Sequence, residues 1–193
     1  TFLSAILTYY AGKKIKNTKN LTGSEVARQI LDKNGLNKVK VVETPGNLSD
    51  HYDPKSKVVR LSSEVYNSPS IASVAVAAHE CGHAIQHQVG YGPLKLRSTL
   101  VPAANLGSKL GIPIILIGVL LGSNYFLVQL GIWVFSLAVL FQLVTLPVEF
   151  NASKRALATL ESSGILAPEE LKGAKKVLDA AALTYVAAAM ASV

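Results

Sequence analysis

Between Lys109 and Glu149 the chain carries no charged side chain over 39 consecutive residues, 110 to 148. A membrane-spanning helix needs about 20 apolar residues, so this stretch accommodates two spans and not three. Its central cluster of turn formers is Gly122-Ser123-Asn124, which divides it into Leu110–Leu121 with its flanks and Tyr125–Leu146. We therefore expect a transmembrane helical hairpin over residues 108–148. The competing reading is a buried hairpin in a soluble protein, but soluble cores rarely hold so long an uncharged run. Composition agrees with the membrane: 50% of residues are hydrophobic, 16% are charged and the mean hydropathy is +0.35, too apolar for an ordinary soluble domain.

The flanks set an orientation. Residues 1–12 read as the end of a truncated N-terminal transmembrane helix, apolar from Phe2 to Tyr10 and followed by Lys13, Lys14, Lys16 and Lys19. A cleaved signal peptide would carry its charges before the apolar run instead. Residues 177–193 are again apolar and can begin a further span. The basic clusters precede the hairpin (Lys95, Arg97, Lys109) or follow it (Lys154, Arg155, Lys172, Lys175, Lys176), while its tip is uncharged. All lie on one side, which the positive-inside rule makes cytoplasmic. The net charge of +7 follows from this arrangement and suits anionic headgroups. No basic stretch is interleaved with aromatics, so nucleic acid is not an expected partner. Cys81 is the single cysteine, which excludes an internal disulfide and fits a reduced compartment.

Residues 20–100 read as a cytoplasmic α+β unit. Thr22-x-x-Glu25 is a capping box, and Val26, Ala27, Ile30 and Leu31 recur at helical spacing until Asn34-Gly35. Val39–Val42 reads as a strand, Thr44-Pro45-Gly46 as a turn, and Lys57–Leu61 as a second strand after the Asp53-Pro54 turn. Two strands are marginal alone and require a helix to pack on. Ser68 as N-cap, Pro69 at the first helical position and Gly90 as terminator delimit that helix, with Ile71, Val74, Ala78, Ile85 and Val89 along its apolar face.

On the same helix lies His79-Glu80-Cys81-Gly82-His83, an H-E-x-x-H pattern. Its two imidazoles stand one turn apart on one face with a carboxylate beside them, the arrangement a hydrolytic zinc site needs. With 4 His and 8 Glu among 193 residues, chance would produce the pattern in about one shuffled chain in three hundred, which disfavours two ordinary core histidines. His79 and His83 are thus candidate zinc ligands and Glu80 the candidate general base. His87 stands eight residues, about 12 Å of helix rise, from His79, so one straight helix cannot bring all three to one ion. The longer motif with a third helical histidine also fails, because Gln86 and Val89 occupy its remaining positions. Cys81 points away from His79 and is expected to pack, not ligate.

A third ligand is still required, and Glu149 is the candidate. It is the first charge after the uncharged stretch and stands two residues beyond Pro147; an ionisable group at such a place reads as functional. The alternative is an interfacial carboxylate paired with Lys154 or Arg155. Bound zinc in a Glu149→Gln variant separates the two.

Several blocks together carry a family resemblance: Leu21–Arg28, Asp50-His51-Tyr52-Asp53-Pro54, Ala78–Ala84, Pro93–Ser98 and Leu143–Ser153. On them the chain resembles, essentially end to end, the YugP-type putative neutral zinc metallopeptidases of bacterial membranes, and more distantly the HtpX-like membrane proteases. The resemblance implies His79, His83 and Glu149 as metal ligands and Glu80 as catalytic base. HtpX-like proteins usually have Asp four residues after the ligand Glu, where this chain has Ser153. That departure leaves open which group orients the ligand histidines, with Asn151 a candidate.

The expected fold is a mainly α membrane protein: a transmembrane helical hairpin plus a small α+β zincin-like catalytic unit with an HExxH helix. Residues 149–176 form a cytoplasmic helical segment bearing the third ligand. The expected activity is that of a gluzincin-like, zinc-dependent endopeptidase in the bacterial plasma membrane, its site on the cytoplasmic side and its substrates peptides or membrane-associated proteins. The alternative is an inactive membrane scaffold or adaptor with a structural zinc site, which would not require Glu80. His51 or Tyr52 could stabilise a developing oxyanion or simply cap a turn. Val58–Leu61 could be an edge strand that pairs with a substrate, or an internal one.

Overall fold

The structure, a computed structural model, describes residues 12–191. The helix end expected over residues 1–12 therefore lies almost wholly outside the described residues, as do the last two residues of 177–193. Two compact units emerge, one built from the described residues up to Tyr91 with Glu149–Thr184, the other from Gly92–Val148 and the residues from Tyr185 on.

The first unit starts at the capping box. The Glu25 carboxylate accepts from Thr22 N at 2.8 Å, and Thr22 Oγ1 accepts from Glu25 N at 3.4 Å, opening helix α1 (Gly23–Lys33). Leu36 N and Gly35 N donate back to Leu31 O and Asp32 O, with Gly35 at φ +70°, and the helix stops there. Three strands follow, β1 (Lys40–Thr44), β2 (His51–Asp53) and β3 (Val58–Ser62), in the order β1-β3-β2. β1 runs parallel to β3 and β2 antiparallel to it. One finding differs from expectation here: His51-Tyr52-Asp53 forms a strand instead of the lead into one. Of the two readings of Val58–Leu61 the internal one holds, since β3 is the central strand and the edges belong to β1 and β2. A three-residue strand is too short to show the alternation by which strands are recognised.

After the short helix α2 (Ser63–Asn67) comes helix α3 (Ile71–Gln88), which carries the H-E-x-x-H pattern. Its N-cap is Ser70, whose hydroxyl accepts from Ser73 N, and not Ser68. The shift has a long-range cause. Asn17 N and Nδ2 both donate to Pro69 O, and Ile71 N donates to Ile15 O, so residues 15–17 hold the preceding segment extended. At the other end Tyr91 N and Gly90 N return to Gln86 O and His87 O, with Gly90 at φ +65°, the closing pattern of a helix that ends on glycine.

Val59 and Leu61 of β3, Val26, Ile30 and Leu31 of α1 and Val74, Ala75 and Ala78 of α3 form one buried core. Cys81 belongs to it, its thiol directed at Ala27 O, with burial pushing its pKa up; it packs as expected. Ala174, Val177 and Leu178 of the last helix, α6 (Pro168–Ala191), join the same core. That helix starts nine residues before the apolar segment 177–193, and these side chains face protein.

The second unit is built on two long helices, α4 (Gly92–Leu120) and α5 (Tyr125–Ser162), joined at Gly122, which has φ +75°. Both are long and apolar enough to cross a membrane. They approach closely: a Cβ on Gly111 would lie 2.7 Å from Phe135 Cβ, and one on Gly131 2.6 Å from Ile115 Cγ1. Helices that meet without a hydrophobic drive between them use small residues in this way. Large apolar side chains remain outside, Leu120 at 83% and Trp133 at 66% exposure. Neither helix ends where the charge does. α4 begins well before Lys109, and α5 continues through Pro147 to Ser162, so the boundary at 148/149 falls inside one helix. An uncharged run marks a change of surroundings, and a helix can outlast it. Among the described residues the protein is thus mostly helical, with one small sheet and two apolar helices.

Candidate metal centre

Helix α3 supplies His79, Glu80, His83 and Gln86, and the stretch of α5 beyond Val148 supplies Glu149, Asn151, Ser153 and Arg155. Gly82 lets these stretches meet. A Cβ there would lie 2.5 Å from Ala152 O, so any side chain at 82 would push Glu149 away from the histidines.

His79 Nε2 lies 3.1 Å from Glu149 Oε2, and His83 Nε2 lies 3.5 Å from the same oxygen. The imidazoles meet edge to face with centroids 4.8 Å apart. One donor atom from each of the three residues falls within 4.8 Å of the others. Donors on a tetrahedral ion with bonds of about 2.1 Å stand about 3.4 Å apart, the spacing the two His–Glu distances match, and two nitrogens with one carboxylate oxygen are a donor set suited to zinc. Glu149 is only 3% exposed and faces the histidines, while Arg155 bonds Asn151 instead.

Both outward ring nitrogens have partners. His79 Nδ1 lies 3.1 Å from Ser153 Oγ, and His83 Nδ1 lies 3.0 Å from Gln86 Oε1. With Nδ1–H donating, each Nε2 presents a lone pair toward Glu149, the tautomer a ligand histidine needs. Asn151, the candidate for orienting a histidine directly, instead accepts from Gln86 Nε2 at 3.0 Å and acts one residue removed. Ser153 fills the role left open by the missing Asp. Gln86 escaped sequence reasoning because its partner on α5 is 65 residues away; the available signal was its position three residues after His83, on the same helix face.

Glu80 is buried, and among the described residues no protein group hydrogen-bonds its carboxylate. A carboxylate without a protein hydrogen bond is placed to hold a water. At His83, burial works against the imidazolium, but the hydrogen bond with Glu149 and the charges of Glu80 and Glu149 outweigh it and hold the pKa above its ordinary value. His87 stands apart from the three donors, its Nδ1 2.9 Å from the Tyr52 hydroxyl. His51 Nδ1 bonds Ser49 O, tying that ring to its own loop. Burial, and then the charge of Asp53, raise the pKa of Tyr52, so its hydroxyl keeps its proton at neutral pH.

Comparison with known proteins agrees with this chemistry. The model of a family described as putative neutral zinc metallopeptidase matches residues 4–193. The chain is 52% identical over 179 residues to "Putative membrane protease YugP" of Bacillus subtilis (strain 168), covering 93% of this chain and 79% of that protein. No solved structure matches.

Proposed function

The chain belongs to the family of putative neutral zinc metallopeptidases, and from that premise we propose that it is a membrane-embedded zinc endopeptidase with His79, His83 and Glu149 as ligands and Glu80 as general base. The observation that carries this is the convergence of those three donors, from α3 and α5, on the helix that also bears Glu80, whose carboxylate makes no protein hydrogen bond among the described residues. Zinc bound there supplies Lewis acidity, activating water and polarising the scissile carbonyl. Glu80 takes the proton of the attacking water and passes it to the leaving amine. Ser153 and Gln86 hold the ligand rings in register. Tyr52 is the donor we assign to the developing oxyanion: its hydroxyl faces α3 through His87, one turn beyond His83, whereas His51 is engaged with Ser49. β2, an edge strand carrying Tyr52, offers the backbone row that an extended substrate pairs with.

The membrane part of the reading rests on α4 and α5 and on the exposed apolar side chains they carry. Basic residues on one side of the hairpin support a cytoplasmic site. Glu149 directly follows the uncharged stretch, which suits membrane-associated protein substrates. In detergent, the zinc-loaded protein is expected to cleave casein or a model membrane protein. Chelation should abolish that cleavage and added zinc restore it; cleavage that persists after metal removal would overturn the assignment.

A further inference from the structure

Tyr52, at the middle of the edge strand β2, is gripped by the far end of the helix that bears the H-E-x-x-H pattern. It pairs with Val59 across the sheet, and Val59 lies in the core shared with α3. Directly paired residues share a face of the sheet, so the Tyr52 ring turns toward that helix. Its hydroxyl lies 2.9 Å from His87 Nδ1, and the two rings stand 5.9 Å apart between centroids, inclined at 51°. Among the described residues no other group hydrogen-bonds that hydroxyl. His87 belongs to the last turn of α3. It shares a helix face with His83, one turn earlier, and because Cα–Cβ bonds on a helix tilt toward its N-terminus, the His87 ring leans over the turn that begins at His83.

The backbone of β2 is fastened without this contact. His51 Nδ1 bonds Ser49 O on one side, and on the other the Asp53 carboxylate accepts from Lys55 N at 2.9 Å and from Ser56 Oγ at 2.6 Å. What His87 adds is a hold on the tip of a half-buried side chain, which would otherwise swing about its torsions. A phenol has one proton to donate and lone pairs with which to accept. When His87 Nδ1 carries a proton it donates to the phenol oxygen, and the phenolic proton stays available to a third group. In the opposite direction the imidazole would consume that proton.

We propose that His87 is a positioning residue: it donates from Nδ1 to the Tyr52 hydroxyl, holds it on the face of α3 that carries His83, and leaves its proton for the developing oxyanion. This rests on the assignment of Tyr52 to the oxyanion, and the two can fail separately. Tyr52→Phe removes the donor and should lower kcat by roughly 10²- to 10³-fold. His87→Leu leaves the phenol in place but loosens it, and should lower kcat by roughly 10- to 100-fold with KM and bound zinc little changed. Residues that act through one another are not additive, so His87→Leu should reduce kcat no further in a Tyr52→Phe protein. His87→Asn puts an amide able to donate near the position of Nδ1 and should recover most of the loss. His87→Asp has the same shape but, ionised, only accepts, and should not. The hold is also readable without metal or substrate, in carbon-13 spectra of metal-free protein labelled at the tyrosine ring carbon that bears the hydroxyl. The Tyr52 signal, identified by its loss in Tyr52→Phe, should move in His87→Leu and return toward wild type in His87→Asn. A signal indifferent to His87→Leu, a loss of kcat that adds to that of Tyr52→Phe, or equal rescue by Asn and Asp would overturn the proposal and leave Tyr52 its role. Unchanged kcat in Tyr52→Phe would overturn the oxyanion assignment and the proposal with it.

Discussion

Glu80→Gln is expected to reduce peptide hydrolysis by roughly 10²- to 10⁴-fold, the range a positioned general base contributes, while zinc binding stays near wild type. The two effects separate because the three donors that converge are on His79, His83 and Glu149, whereas the Glu80 carboxylate makes no protein hydrogen bond among the described residues. The amide matches the carboxylate in shape, so packing is retained. What it lacks is the capacity to take up a proton. Turnover of a casein or membrane-protein substrate, measured beside metal content, checks both halves. Equal turnover by the variant would remove Glu80 from the chemistry. Absence of turnover in wild type and variant alike, with zinc bound in both, would favour the scaffold with a structural metal.

Glu149→Gln should weaken zinc binding by more than the 10- to 100-fold that an outer partner contributes, since it replaces a charged ligand by a neutral amide. The same oxygen faces both His79 Nε2 and His83 Nε2, at 3.1 and 3.5 Å, so one substitution disturbs the whole donor set. A chelator titration reads the loss directly. Wild-type zinc affinity in this variant would reject Glu149 as a ligand and leave two histidines to be completed by another group.

The proposed ligand set, whose three donors the structure brings together, stood out in the sequence for two different reasons. His79 and His83 announce themselves locally, because the helical repeat alone puts positions i and i+4 on one face. Glu149 is conspicuous through its surroundings, as the first charge after 39 residues without one. The supporting groups were not legible, because their partners are far away in the chain: Ser153 meets His79 across 74 residues and Gln86 meets Asn151 across 65. The start of α3 was misplaced for the same reason. Ser68 and Ser70 both suit an N-cap, and the choice between them is made by Asn17 holding Pro69 from 52 residues away. Strand β2 was missed because three residues beside an Asp-Pro turn show no alternation. The hairpin bounds were read from charge and α4 and α5 run past them, since charge reports the medium around a helix and hydrogen bonding reports the helix.

In the proposed zinc site, the pairing of His83 with Glu149 makes the centre an exchanger of protons for metal. A ligand histidine must be neutral, yet in the metal-free protein the neighbouring carboxylates favour the imidazolium of His83. Because its folded pKa is raised, the folded metal-free protein holds that proton more tightly than the unfolded chain. The resulting stabilisation is complete below the ordinary imidazole value of about 6.5 and is lost as pH rises through the raised value. Over that same interval the site becomes competent for zinc, and uptake expels the proton. The heat of zinc binding should accordingly vary with the ionisation enthalpy of the buffer, and invariance would show that no proton leaves. In that proposed site Glu149 faces a positive partner in both states, the imidazolium at low pH and the metal once the proton has left.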